Sequence, residues 1–119
     1  MAYVIMNKKT NLIYGRGIVH WKYGTVYDDF DAVKKAIIVN IFSPAFNKNY
    51  YEYVVSKYED LAVYNIFNQD RIDLLDLIQD MLNDPKVNWT VCKQCNKIKH
   101  VKRQTLDFIC NDCLNRSLQ

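Results

Sequence analysis

The chain is 119 residues long with a formal net charge of +3, and half of its residues are hydrophobic. That length holds one ordinary domain, or a core of about 85 residues with a metal-stapled appendage, and the apolar content excludes wholesale disorder. Three glycines and two prolines exclude a low-complexity chain, and no run approaches the ~18–20 apolar residues that span a bilayer.

Residues 3–6 and 11–14 are short apolar runs separated by Asn7, Lys8, Lys9 and Thr10, which predicts a hairpin. Lys8 and Lys9 follow the first apolar run, the reverse of a secretory signal. A cytoplasmic protein is therefore expected, and in a reducing compartment paired cysteines hold metal more often than they form disulfides. Gly15-Arg16-Gly17 closes the hairpin and is read as a loop rather than an anion nest. Residues 18–27 mix Val, Trp and Tyr around Gly24 and suit another short strand. His20 and Trp21 stand alone there and support no site.

Asp28 and Asp29 precede Phe30, Val33, Ile37 and Ile41. An acidic start followed by apolar spacing of three and four predicts a helix, stopped by Ser43-Pro44. Residues 50–58 are ambiguous. Tyr51, Val54, Val55 and Tyr58 share a helical face, but the β-branched and aromatic content favours a strand. On that reading Tyr50, Tyr51, Tyr53, Tyr58 and Tyr64 are ordinary strand residues rather than an interface cluster. Leu61 to Phe67 reads as a strand. Asp70 is the expected N-cap of a final helix whose apolar stripe is Ile72, Leu75, Ile78 and Leu82, widened by Leu74, Leu77 and Met81. Asn83-Asp84-Pro85 ends it. Asp73, Asp76, Asp80 and Asp84 then form an acidic stripe, read as a solvated outer face. The expected architecture over 1–88 is an α+β body, a small antiparallel sheet with two packed helices.

The C-terminal segment 89–119 has a different character. Its cysteines read Cys92-Lys-Gln-Cys95, fourteen intervening residues, then Cys110-Asn-Asp-Cys113. Two residues between thiolates let one tight turn present both sulfurs at ~2.3 Å from a metal, and two such pairs complete a tetrahedral shell of four thiolates. Asn96 stands where a left-handed backbone is needed after the first pair. Residues 114–118 suit a short helix after the second. Over about residues 89–118 this pattern resembles the zinc-ribbon and treble-clef group of zinc modules. The second pair lacks a following Gly, which leans toward the treble clef. The resemblance implies one structural Zn²⁺ held by Cys92, Cys95, Cys110 and Cys113, with no open position for a substrate. Two disulfides, a rubredoxin-like iron site or a redox Cys-x-x-Cys are the alternatives. Zinc is preferred because iron sites carry Pro and Gly around their knuckles, and a redox pair needs no second pair. His100 is read as a surface neighbour rather than a ligand.

Charge is distributed unevenly. Residues 1–90 carry ten Lys/Arg and eleven Asp/Glu, whereas 91–119 carry six Lys/Arg and two Asp. Lys93, Lys97, Lys99, His100, Lys102 and Arg103 crowd the first knuckle and the arm after it, candidates for phosphate contact with Phe108 stacking on a base. The competing reading is compensation for the thiolates, which leave a zinc-loaded module nearer +2. No Gly-rich phosphate loop, Gly-x-Ser-x-Gly or His-Glu-x-x-His is present, so no enzyme is expected. A hydrolase using Asp residues of the body is the weakest hypothesis. The sequence therefore points to a non-enzymatic regulatory or accessory factor contacting nucleic acid or a machine such as RNA polymerase. The alternative is a protein-binding adaptor or inhibitor. Neither a membrane nor a small-molecule substrate is expected as a partner. Abundant Asn, Lys, Ile and Tyr are what AT-rich coding yields, as in many phages, large viruses and low-GC bacteria.

Overall fold

A computed structural model describes residues 2–15, 17–20, 24–103, 105 and 107–117. Arg16 of the Gly-Arg-Gly loop, Trp21, and Leu106 and Leu118 of the C-terminal segment lie outside the described residues.

The architecture is α+β. A three-stranded antiparallel sheet has β4 (Leu61–Asn65) at its centre, with β1 (Tyr3–Asn7) on one side and β5 (Arg71–Asp73) on the other. The register places Ile5 opposite Val63 and Val63 opposite Ile72. The turn of the expected N-terminal hairpin forms, but its two-stranded ladder does not. The Asn11 N–H donates to the Asn7 carbonyl at 2.8 Å, and the Asn7 N–H donates to the Leu12 carbonyl at 2.9 Å. Asn11 takes the left-handed φ of 60° that the turn requires. Past a single bridge between Met6 and Ile13, however, the return arm leaves β1. Its strand β2 (Tyr14–Gly15) pairs instead with β3 (Val19–His20), the short strand expected within 18–27.

The first helix begins where the acidic residues predict. Asp29 Oδ1 accepts the Ala32 N–H at 2.7 Å and caps α1 (Phe30–Ile37). The helix continues through one π-helical turn, Ile38–Phe42, in which the Ser43 N–H reaches back five residues to the Ile38 carbonyl at 2.9 Å. Replacing the cap, Asp29→Ala, should cost about 1 kcal/mol, read as a lower urea midpoint at unchanged m-value.

Two sequence expectations are corrected. Residues 50–58 are helical, as π-helical Tyr51–Val55 followed by α2 (Ser56–Tyr58). Asn49 Oδ1 accepts the N–H groups of Tyr51 and Glu52 at 3.0 and 3.1 Å. Tyr50, Val54 and Tyr58, four apart, are buried together. A cap plus one buried stripe outweighs β-propensities that span only ~1 kcal/mol. Of the five tyrosines read as strand residues, only Tyr64 is in a strand. The second correction concerns Asp70, which is not an N-cap. Its N–H is held by Asn68 Oδ1 in the β4–β5 turn, residues 71–73 form β5, and α3 runs Leu74–Leu82 with Asp73 at its cap position. Residue 72 pairs with the sheet, so the helical stripe begins two residues later than its periodicity suggests.

Along α3, Leu74, Leu77, Ile78, Met81 and Leu82 are buried in one core with Ile5, Val33, Ile37, Ile41, Phe42, Tyr50, Val54, Leu61 and Val63. The opposite face carries exposed Asp76 and Asp80, while Asp73 and Asp84 at the ends of the acidic stripe are half-buried. Asp73 pairs with Lys8 at 3.1 Å. No helix among the described residues is long and apolar enough to cross a membrane.

The C-terminal segment is not merely tethered to this core. Its hairpin pairs β6 (Trp89–Val91) with β7 (Ile98–His100), and Ile98, wholly buried, belongs to the main core. The Ile98 N–H donates to the Lys48 carbonyl at 3.0 Å, and the Asn47 N–H donates to the Ile98 carbonyl at 2.9 Å. The Tyr50 N–H, unsatisfied within its own helix, donates to the Asn96 carbonyl at 2.7 Å. Trp89 packs near the rings of Phe42 and Phe46.

Candidate metal centre and the cleft beside it

The first cysteine pair sits in the turn joining β6 to β7. The Cys92 N–H donates to the Lys97 carbonyl at 3.0 Å, and the Asn96 N–H donates to the Cys92 carbonyl at 2.9 Å. Asn96 has φ of 59°, the left-handed conformation expected of it. The second pair is built differently. Cys110 immediately precedes α4 (Asn111–Ser117) and Cys113 lies in its first turn, so a spacing of three puts both on one side of the helix start. The two halves are joined by the Lys93 N–H donating to the Phe108 carbonyl at 2.9 Å, and by the Cys110 N–H donating to Cys92 Sγ at 3.4 Å.

This construction brings four sulfurs within 4.8 Å of one another. Cys92 and Cys113 Sγ are 3.7 Å apart, as are Cys95 and Cys110 Sγ. A tetrahedron with ~2.3 Å metal–sulfur bonds has edges of about 3.8 Å, whereas a disulfide requires ~2.05 Å. Cys92, Cys110 and Cys113 are buried and Cys95 is half-buried. The cluster can hold one metal ion, with four protein ligands enclosing it.

Electrostatics point the same way. Burial is the largest influence on Cys92, Cys95 and Cys113 and pushes each thiol up. At Cys92 the backbone N–H groups of Cys110, Cys95 and Gln94 outweigh it and bring the thiol down to about 6. At Cys113 the sulfurs of Cys110, Cys95 and Cys92 add to burial, and the thiol is pushed up to about 12. Such a cluster resists full ionisation without a cation; a bound divalent ion deprotonates its thiols outright.

The six basic candidates do not all line one cleft. Lys99, His100, Lys102 and Arg103 line an open cleft of about 560 Å³ between the end of β7 and the start of α4. Phe46 and Phe108 line it too. Lys93 lies instead in a groove of about 310 Å³ beside the end of α3, which adjoins the cleft across Thr105 and Phe108. Lys97 is exposed on the strand segment that bridges to Asn49. Within the cleft, Lys99 is half-buried. Its Nζ contacts Asn47 Oδ1, lies 5.8 Å from the Phe46 ring centroid and stands 4.0 Å from Asp112. His100 is exposed, its ring 4.9 Å from that of Trp89. Lys102 and Arg103 are exposed. Phe46 escaped the sequence reading because it belongs to the loop after the first helix, far along the chain from the basic residues of the cleft, and no local pattern marks it.

No family model, curated protein or solved structure matches this chain.

Proposed function

We propose that this chain is a non-enzymatic zinc protein that contacts nucleic acid, or a nucleic-acid-bound assembly, through the cleft beside its metal centre. Cys92, Cys95, Cys110 and Cys113 would hold one Zn²⁺ as a closed structural site, leaving no position for a catalytic water. The second pair at the start of α4, rather than in a second hairpin, supports the treble-clef side of the resemblance. The observation that carries the binding role is the gathering of Lys99, His100, Lys102 and Arg103 with two aromatic rings along one cleft. Cations supply phosphate affinity, and aromatic rings beside them are what a base requires.

The decisive cations are Lys102 and Arg103. Lys99 is engaged by Asn47 and Asp112, so replacing it would disturb the docking of β7 as well as the charge. The double variant Lys102→Gln/Arg103→Gln should weaken binding to labelled oligonucleotides and flatten its salt slope by about one unit per cation removed. Metal content should not change, because neither residue is a ligand. An unchanged slope would assign these charges to compensation of the thiolates.

The adaptor reading has its own supporting observation. Ile66 and Phe67, in the β4–β5 turn, are 46% and 76% exposed, and large apolar side chains at a loop tip suit a protein partner. If wild-type protein binds no nucleic acid at low salt, this becomes the reading to pursue, with Phe67→Ser as the variant to compare in partner capture.

A further inference from the structure

We infer that the occupant of this cleft is a single strand, with a base stacked on Phe46 and the backbone running past Lys102 and Arg103. This rests on the nucleic-acid reading above and goes further by naming the form of the ligand. In a duplex the base faces are covered by their neighbours, and only base edges are offered in the grooves. Reading those edges takes a protruding helix or β-ribbon. Neither candidate element here suits that task. The start of α4 is occupied by Cys110 and Cys113, its described length is seven residues, and it carries Asp112 against the single cation Arg116. The turn of the β6–β7 hairpin is committed to Cys92 and Cys95.

Flat rings beside cations are instead what an unpaired base uses. Phe46 is 47% exposed although it belongs to a folded loop. Packing explains only part of its surface: it meets Trp89 edge-on at 6.2 Å. The Lys99 ammonium, 5.8 Å from its centroid, presents charge and ring together. Phe108 lines the same cleft. Asp112 repels phosphate from the α4 wall, which leaves the 102–103 rim as the path for the backbone. Stacking of this kind tolerates any base, so sequence preference should be weak.

The test uses the full chain with its metal in place. Binding of a short oligo-dT, its RNA counterpart oligo-U and a mixed-sequence duplex of equal length would be followed by the change in tryptophan emission and by anisotropy of labelled strands. Both single strands should bind at least ten-fold more tightly than the duplex. Phe46→Leu, which keeps an apolar side chain against Trp89 but loses the flat ring, should weaken single-strand binding about ten-fold. It should leave the salt slope and metal content unchanged, and Phe46→Tyr should restore binding. Equal or tighter duplex binding, or an indifferent Phe46→Leu, overturns the single-strand inference while leaving the nucleic-acid reading intact. Absence of binding to any of the three at low salt overturns both. Preference for only one of the two single strands would mean that the 2′ position or the thymine methyl is read, which stacking does not predict, and it too overturns the base- and sugar-tolerant mode argued here.

Discussion

Stripping the metal with a strong chelator should release about one zinc per chain, melt the cysteine loops and lower the melting temperature of what remains. Structural zinc sites carry roughly 10–16 kcal/mol of apparent binding free energy, as much as a whole small domain has in net stability. The cysteine cluster has only Phe108 and Ile109 packed around it among the described residues, too little apolar surface to hold its shape without the ion. The rest of the chain should survive in weakened form. Val33, Ile37, Leu74, Ile78 and their neighbours come from α1 and α3 and bury one another, so most helical circular-dichroism signal should persist at 25 °C. The weakening follows from Ile98, Trp89 and Val91, which pack on that core but are ordered by a hairpin whose turn holds two of the ligands. An unchanged melting curve after chelation would show that the metal does not support the fold. Total loss of helical signal would show that residues 1–88 do not fold without the hairpin. Iron in place of zinc on elemental analysis would sink the metal assignment.

Ile98→Ala should destabilise the whole chain by about 3 kcal/mol, although the residue lies between the two cysteine pairs. Large-to-small changes at buried aliphatic positions cost ~2–5 kcal/mol, through lost transfer energy and the cavity left behind. Ile98 is wholly buried in the main core and is clamped on both sides of its backbone by residues 47 and 48, so the site cannot collapse readily. The expected readout is a fall of about 10 °C in melting temperature, seen in the helical signal of α1 and α3 and not only near the metal. Lys97→Ala, an exposed change one residue earlier, should stay within about 0.5 kcal/mol of wild type. If Ile98→Ala lowers metal affinity without shifting the helical melt, β7 belongs energetically to the metal cluster and not to the core.

Helices and metal ligands are legible wherever a local rule governs them. Two Cys-x-x-Cys pairs are a local rule: the spacing alone brings each pair of sulfurs together, and Asn96 follows the first pair because the turn needs a left-handed residue. Asp29 before a spacing of three and four is another, and it caps α1 as expected. Residues 50–58 mislead although a usable signal is present. Asn49 followed by Glu52 three residues on is a capping pattern, and it points to helix more strongly than the β-branched content points to strand. Asp70 fails for the opposite reason. Its capping chemistry is sound in isolation, but pairing with β4 satisfies the backbone of 71–73 and delays the helix.

The α+β class, the cysteine cluster and the concentration of positive charge after residue 90 are all readable from residue type and short spacing. Which of those charges lie together, and what stands beside them, depends on long-range packing. Docking β7 on residues 46–50 buries Ile98 in the core, ties Lys99 to Asn47, and sets Phe46 in the same cleft as His100, Lys102 and Arg103. Lys93, next to a ligand in sequence, is directed to the adjoining groove. Contacts between residues so far apart in the chain have no local signature. They arise because a strand with one buried isoleucine and an unsatisfied helix start find each other during folding, and that is settled by the burial of Ile98 and the hydrogen bond from Tyr50 to Asn96.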